Sequence, residues 1–200
     1  KTLAGLNIAN HWHDIENDDH AVFLSGNGPL VKVLQEALSR NSYQKAREKG
    51  ISTTRNEEKR KVSAFIQNIH HFRDSTWNNY EHPPIEHVTI FDEAQRAWNA
   101  DKTIDFMKRK KGVQDFVQSE PSYLISVMDR HEDWAVIICL VGNGQEIHSG
   151  EAGISEWFES LSHKYQIWDV YMSKTMLPEI PKDIKNHIEF FNALHLAVST

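Results

Sequence analysis

The run Trp134–Val141, W-A-V-I-I-C-L-V, contains no charged or hydrogen-bonding polar group except the indole of its first residue. A strand with one wet face alternates apolar and polar residues. A strand buried on both faces of a parallel sheet reads instead as a continuous apolar run. The run therefore predicts an inner strand of a parallel sheet. Parallel strands need crossover connections, usually helices, so helical and extended patterns should alternate along the rest of the chain.

That alternation is present. Leu3, Leu6, Ile8 and Ala9 predict a first helix, with Gly5 as its weak point. Ala21–Leu24 reads as a strand, and Ser25-Gly26-Asn27-Gly28-Pro29 as a tight turn in which Pro29 can open a helix. Leu30–Leu38 and Val62–Phe72 carry helical periodicity, and Trp77–Pro84 reads as a loop. Val88–Phe91 is a short apolar strand. A helix opens at Glu120-Pro121 and carries Tyr123, Leu124, Val127 and Met128. Ile154–Leu161 and Ile184–Leu194 predict helices, and Trp168–Met172 and Leu196–Val198 predict strands. The expected fold class is α/β, a three-layer sandwich with a mostly parallel sheet.

The 200 residues suit one domain spanning 1–200. A polar, basic stretch at about 39–61, with Lys45, Arg47, Lys49, Arg55, Lys59, Arg60 and Lys61, reads as an exposed insertion interrupted near Gly50 and Ser52–Thr54. Glu48, Glu57 and Glu58 break up its charge, which favours a solvated helix face over a nucleic-acid groove. Lys108–Lys111 is denser but short. The net charge of −6 means that any nucleic-acid contact must come from such local patches. Cys139, the one cysteine, cannot form an internal disulfide, which suits a buried thiol in a reducing cytoplasm. No apolar run approaches the ~20 residues of a membrane span, and the N-terminus lacks a signal-peptide layout. Both chain ends look cut from something longer, since Lys1 leads straight into a helical pattern.

The chemistry gathers at predicted strand ends. The strand Val88–Phe91 stops at two carboxylates, Asp92 and Glu93. Open α/β sheets bind ligands beyond the C-terminal ends of their strands. An acidic pair there can hold Mg²⁺ and orient an attacking water. Alternatively, Asp92 caps the following helix. Ser25–Gly28, Asn143–Gln145 and the opening Lys1-Thr2 would converge on the same edge. A phosphate-binding loop ends in Gly-Lys-[Ser/Thr] and runs directly into a helix. Gln145 can hydrogen-bond a γ-phosphate or a water, or it is an ordinary turn residue.

Other residues have plainer readings. The 12 histidines include His11-x-His13 and His70-His71, better read as surface histidines than as a zinc site. Among six tryptophans, Trp134 and Trp168 begin apolar strands and are expected in the core. Trp98 is expected to pack rather than to stack on a base.

Several longer motifs carry a resemblance. They are V-F-L-S-G-N-G-P-L-V-K-V-L at Val22–Leu34, H-V-T-I-F-D-E-A-Q-R-A-W at His87–Trp98, the stretch Ser119–Ile147, and G-E-A-G-I-S-E-W at Gly150–Trp157. With these the chain resembles bacterial Schlafen group 3-like DNA/RNA helicase domains, which are P-loop NTPases of RecA-like fold close to superfamily-one helicases. The resemblance implies ATP and Mg²⁺ as cofactors and a nucleoside triphosphate and DNA or RNA as partners, with no membrane role. Lys1 and Thr2 would end the Walker A loop at the nucleotide phosphates. Thr2 and Asp92 would bind Mg²⁺, Glu93 would polarise water, and Gln145 would sense the γ-phosphate. Ser25 and Asn27, in the motif Ia position, would touch the nucleic-acid backbone. The glycines of the phosphate loop and the second motor domain with its arginine fingers have no counterpart in this sequence. The expectation is a fragment that binds ATP weakly and hydrolyses it negligibly, with ATP hydrolysis coupled to nucleic-acid binding in the full-length protein. The alternative is a nucleotide-dependent switch or interaction module that unwinds nothing.

Overall fold

In the computed structural model, residues 1–12, 20–142 and 149–172 are described. Their contacts sort into two compact units. The first comprises Lys1–Ala94 and residues 127–142, and the second comprises Gln95–Ser126 and residues 149–172.

The first unit is built on a parallel sheet of β1 (Ala21–Ser25), β2 (Ile66–Asn68), β3 (Val88–Asp92) and β4 (Val136–Leu140), in the order β2-β1-β3-β4. Its helices are α1 (Thr2–Trp12), α2 (Gly28–Glu48), α3 (Arg55–Phe65) and α4 (Ile69–Asn78). Side chains alternate between the faces of a strand. Ala21 and Phe23 of β1 and Val88 and Ile90 of β3 join Leu6, Ala9, Val31, Val62 and Phe65 in one core. The alternate residues Val22, Leu24, Thr89 and Phe91 are equally buried. The sheet is therefore covered on both faces, as the middle layer of a three-layer α/β sandwich. Among the described residues no helix is long and apolar enough to cross a membrane.

Gly5 is what lets α1 lie close on this sheet. A Cβ at that position would sit 2.5 Å from Leu140 Cδ1, 3.0 Å from Ile90 Cγ2 and 3.2 Å from Phe23 Cε2. The residue that weakens the helix by propensity is the one that allows its docking.

The structure departs from the sequence expectations at four places. Val62–Phe72 is not one helix. Ile66–Asn68 breaks it as β2, paired with Phe23–Ser25, and Asn68 then caps α4 by accepting from His70 N at 2.9 Å. Tertiary pairing outweighs a local pattern that fits both periods. The basic stretch lies on two helices, with α2 running through Glu48 and α3 starting at Arg55. Only a short turn separates the two helices, and Gly50 adopts φ +72° within it. The run Trp134–Val141 does form a strand, but β4 is the edge strand among the described residues and is only half-buried. Trp134 is correspondingly exposed, not core, and stacks on His87 with ring centroids 4.5 Å apart. Residues 168–172 form no strand and join no sheet among the described residues; Trp168 N instead closes a turn on Tyr165 O at 3.2 Å. The helix at 184–194 and the strand at 196–198 lie outside the described residues, as does His13.

The second unit holds α5 (Ala100–Phe106), a single wide turn at Met107–Lys111, most of α6 (Glu120–Met128), and α7 (Ser155–His163). Gln95–Asn99 pairs with Gly150–Gly153. Ala152 N donates to Ala97 O at 2.7 Å, Gly153 N to Gln95 O at 3.0 Å and Asn99 N to Gly150 O at 3.0 Å. Arg96 and Glu151 form an ion pair at 3.1 Å across this junction. Two motifs far apart in sequence are thereby joined. Trp98 packs edge-on to Phe106 and carries the Lys102 ammonium 4.7 Å above its ring.

Candidate functional site

Parallel register brings three strand ends level. Ser25 pairs with Asp92, and Asp92 pairs with Leu140. The N-terminus of α1 meets the same edge. Thr2 Oγ1 donates to the Asp92 carboxylate, 3.0 Å from Oδ1 and 3.1 Å from Oδ2. Lys1 Nζ donates to Val141 O at 2.5 Å, just past the end of β4. Lys1, Thr2, Asp92 and β4 are thus joined by direct bonds, although they come from opposite ends of the first unit's sequence.

Asp92 is the last residue of β3 and is buried. Burial raises its carboxyl above the ordinary value, the Thr2 hydroxyl draws it back, and the charge of Glu93 pushes it up again. A carboxylate held in this way gains from a nearby cation. Thr2 Oγ1 and the Asp92 oxygens are hard donors of the kind Mg²⁺ takes. The donor set therefore fits that ion.

Glu93 adopts φ +56° and is the one non-glycine residue with positive φ among those described. This left-handed backbone costs on the order of 1 kcal/mol or more in a residue with a Cβ, and such strain concentrates at functional sites. No residue pattern signals it in the sequence.

Ser25 and Asn27 hold the start of α2. Asn27 N donates to the buried Ser25 hydroxyl at 3.2 Å, and Asn27 Oδ1 accepts from Leu30 N at 3.2 Å as the helix cap. Asn27 itself is exposed. Gln145 lies outside the described residues.

The α2–α3 hairpin adds a basic surface that the sequence did not resolve. Arg47 and Arg55 lie over the Tyr43 ring, 6.0 and 5.7 Å from its centroid. With Arg40, Gln44 and the acidic Glu48 they line one open groove, and Arg40 is itself paired with Glu36 at 2.6 Å. Glu58 of α3 is tied to Lys61 at 2.8 Å and to Ser42 and Thr53.

The family model described as "Schlafen group 3, DNA/RNA helicase domain" matches residues 1–199. Neither the curated proteins nor the solved structures gave a match.

Proposed function

The chain belongs to the Schlafen group 3 DNA/RNA helicase domain family, and on that premise we propose that its C-terminal sheet edge is the ATP site of a helicase-like NTPase. The observation that carries this reading is the bond from the Thr2 hydroxyl to Asp92, which joins a helix N-terminus to the end of a central strand.

Each residue then has a task. The Lys1 ammonium exchanges its carbonyl partner for phosphate oxygens. The start of α1 adds the positive end of a helix dipole. Thr2 Oγ1 and Asp92 would hold Mg²⁺, which would supply charge neutralisation at the phosphates. Glu93 orients the attacking water and accepts its proton. Gln145 hydrogen-bonds the γ-phosphate or that water. Catalysis of this kind is mostly positioning and charge neutralisation.

For the nucleic acid, Asn27 contacts the backbone from the exposed start of α2, and Ser25 positions it from below. The Arg40–Arg47–Arg55 groove adds sequence-independent phosphate contacts. The test is ATP turnover by the intact protein with and without DNA and RNA. Stimulation by either one supports a motor. Turnover or nucleotide binding that ignores both supports a nucleotide-dependent switch instead.

A further inference from the structure

Three ligand-type side chains meet at the other, N-terminal edge of the sheet. His87 immediately precedes β3, and His131 and Asp133 precede β4. The pairing of Val88 with Val136 and the bond from Val136 N to His87 O, at 2.8 Å, hold the two approaches side by side. One ligand atom from each of His87, His131 and Asp133 lies within 4.8 Å of the others.

Both imidazoles are held in one tautomer. His87 Nδ1 is 2.8 Å from Trp134 O, and His131 Nε2 is 3.2 Å from Glu86 O. A carbonyl oxygen only accepts, so each of these nitrogens carries the proton. The lone pairs are then on His87 Nε2 and His131 Nδ1. A backbone carbonyl on the far nitrogen is what orients metal-binding imidazoles. The rings are also held in place: His87 stacks on Trp134, and its centroid lies 4.1 Å from that of His131. Asp133 Oδ1 accepts from Trp134 N at 2.7 Å and lies 3.9 Å from His87 Nδ1.

We propose that His87, His131 and Asp133 form a binding site for a borderline divalent transition-metal ion of the Zn²⁺ type, with water completing the shell. Two imidazoles and a carboxylate suit such an ion, whereas Mg²⁺ prefers oxygen alone. Tetrahedral donors at ~2.0–2.2 Å from Zn²⁺ stand about 3.4 Å apart. Asp133 Oδ1 stands beside the protonated Nδ1 of His87, so its carboxylate swings toward the Nε2 side on binding, a movement open to a side chain that is 66% exposed. The ion would clamp the approach to β3 onto the approach to the edge strand β4. This site is separate from the proposed ATP site and does not depend on it.

The test is calorimetry of the full chain with Zn²⁺ after treatment with a chelator, paired with Co²⁺ absorption. The expected result is one Zn²⁺ per chain at micromolar affinity and a visible d–d band with Co²⁺. His87→Asn and His131→Asn should abolish both signals, and Asp133→Asn should weaken binding at least ~10-fold. Asp133 is exposed, so its variant decides the matter if a histidine variant fails to fold. Absence of binding at about 100 μM Zn²⁺, or unchanged affinity in Asp133→Asn and in every folded histidine variant, would overturn the proposal. Unchanged affinity would assign the ion to other histidines of the chain.

Discussion

The Thr2 hydroxyl donates to both carboxylate oxygens of Asp92, so the first turn of α1 is tied to the end of β3. This bond has a stability consequence that can be measured. Burial raises the Asp92 carboxyl, with Glu93 adding to the rise against the pull of Thr2. A carboxyl raised in the folded state binds more protons there than in the unfolded chain. Its effect is therefore a loss of stability as pH rises from its ordinary 3.8 through the raised value. Asp92→Asn should remove that slope and leave the chain more stable than wild type at about pH 7. Thr2→Val should destabilise by about 1–3 kcal/mol, because Asp92 keeps its burial and loses a donor. Urea unfolding of both variants at about pH 4 and about pH 7 checks the signs.

Glu93 holds a backbone conformation that suits glycine. Glu93→Gly should therefore raise stability by about 1 kcal/mol while removing ATP turnover. A variant both less stable and inactive would show that the Glu93 side chain contributes more to the fold than its backbone costs.

Gly5 leaves no room for a branched side chain beneath α1. Gly5→Val should cost about 1–3 kcal/mol through overpacking against Leu140 and Ile90, read as a lower thermal midpoint. Gly5→Ala should fall between, since a gain of about 1 kcal/mol in helix propensity offsets part of the clash.

Much of this fold can be read in the sequence, and the exceptions have physical causes. Strands β1 and β3 are visible because their apolar residues are buried on both faces. Asp92 and Thr2 stand out in the sequence as polar residues at a strand end and a helix start, and the structure brings them into hydrogen-bond contact. The strand β2 is hidden because Phe65, Ile66 and Ile69 fit a helical stripe as well as a strand. The edge position of β4 is hidden because an apolar run reports composition, not neighbours. Neither the φ of Glu93 nor the pairing of Gln95–Asn99 with Gly150–Gly153 has a local signature. His87, His131 and Asp133 look like scattered surface residues until the pairing of β3 with β4 brings them together.

Glu58 gives the hairpin a distinct acid sensitivity. Its bond to Lys61, with help from Ser42, pulls its carboxyl from 4.5 to about 2. A depressed carboxyl contributes stability above its ordinary value that is lost as pH falls toward the depressed one. Glu58→Gln should therefore be less stable than wild type near neutrality, yet lose less stability than wild type between about pH 4.5 and about pH 2. Helical circular dichroism across an acid titration reads both effects.

If Asp92 and Glu93 close the proposed nucleotide site, Glu93 carries the chemical step. Single-turnover ATP hydrolysis by the intact protein, wild type against Glu93→Gln with Mg²⁺ present, tests it most directly. The expected result is ATP affinity within about threefold of wild type and hydrolysis slowed by about 10²–10⁴-fold. Hydrolysis at the wild-type rate in Glu93→Gln would contradict it.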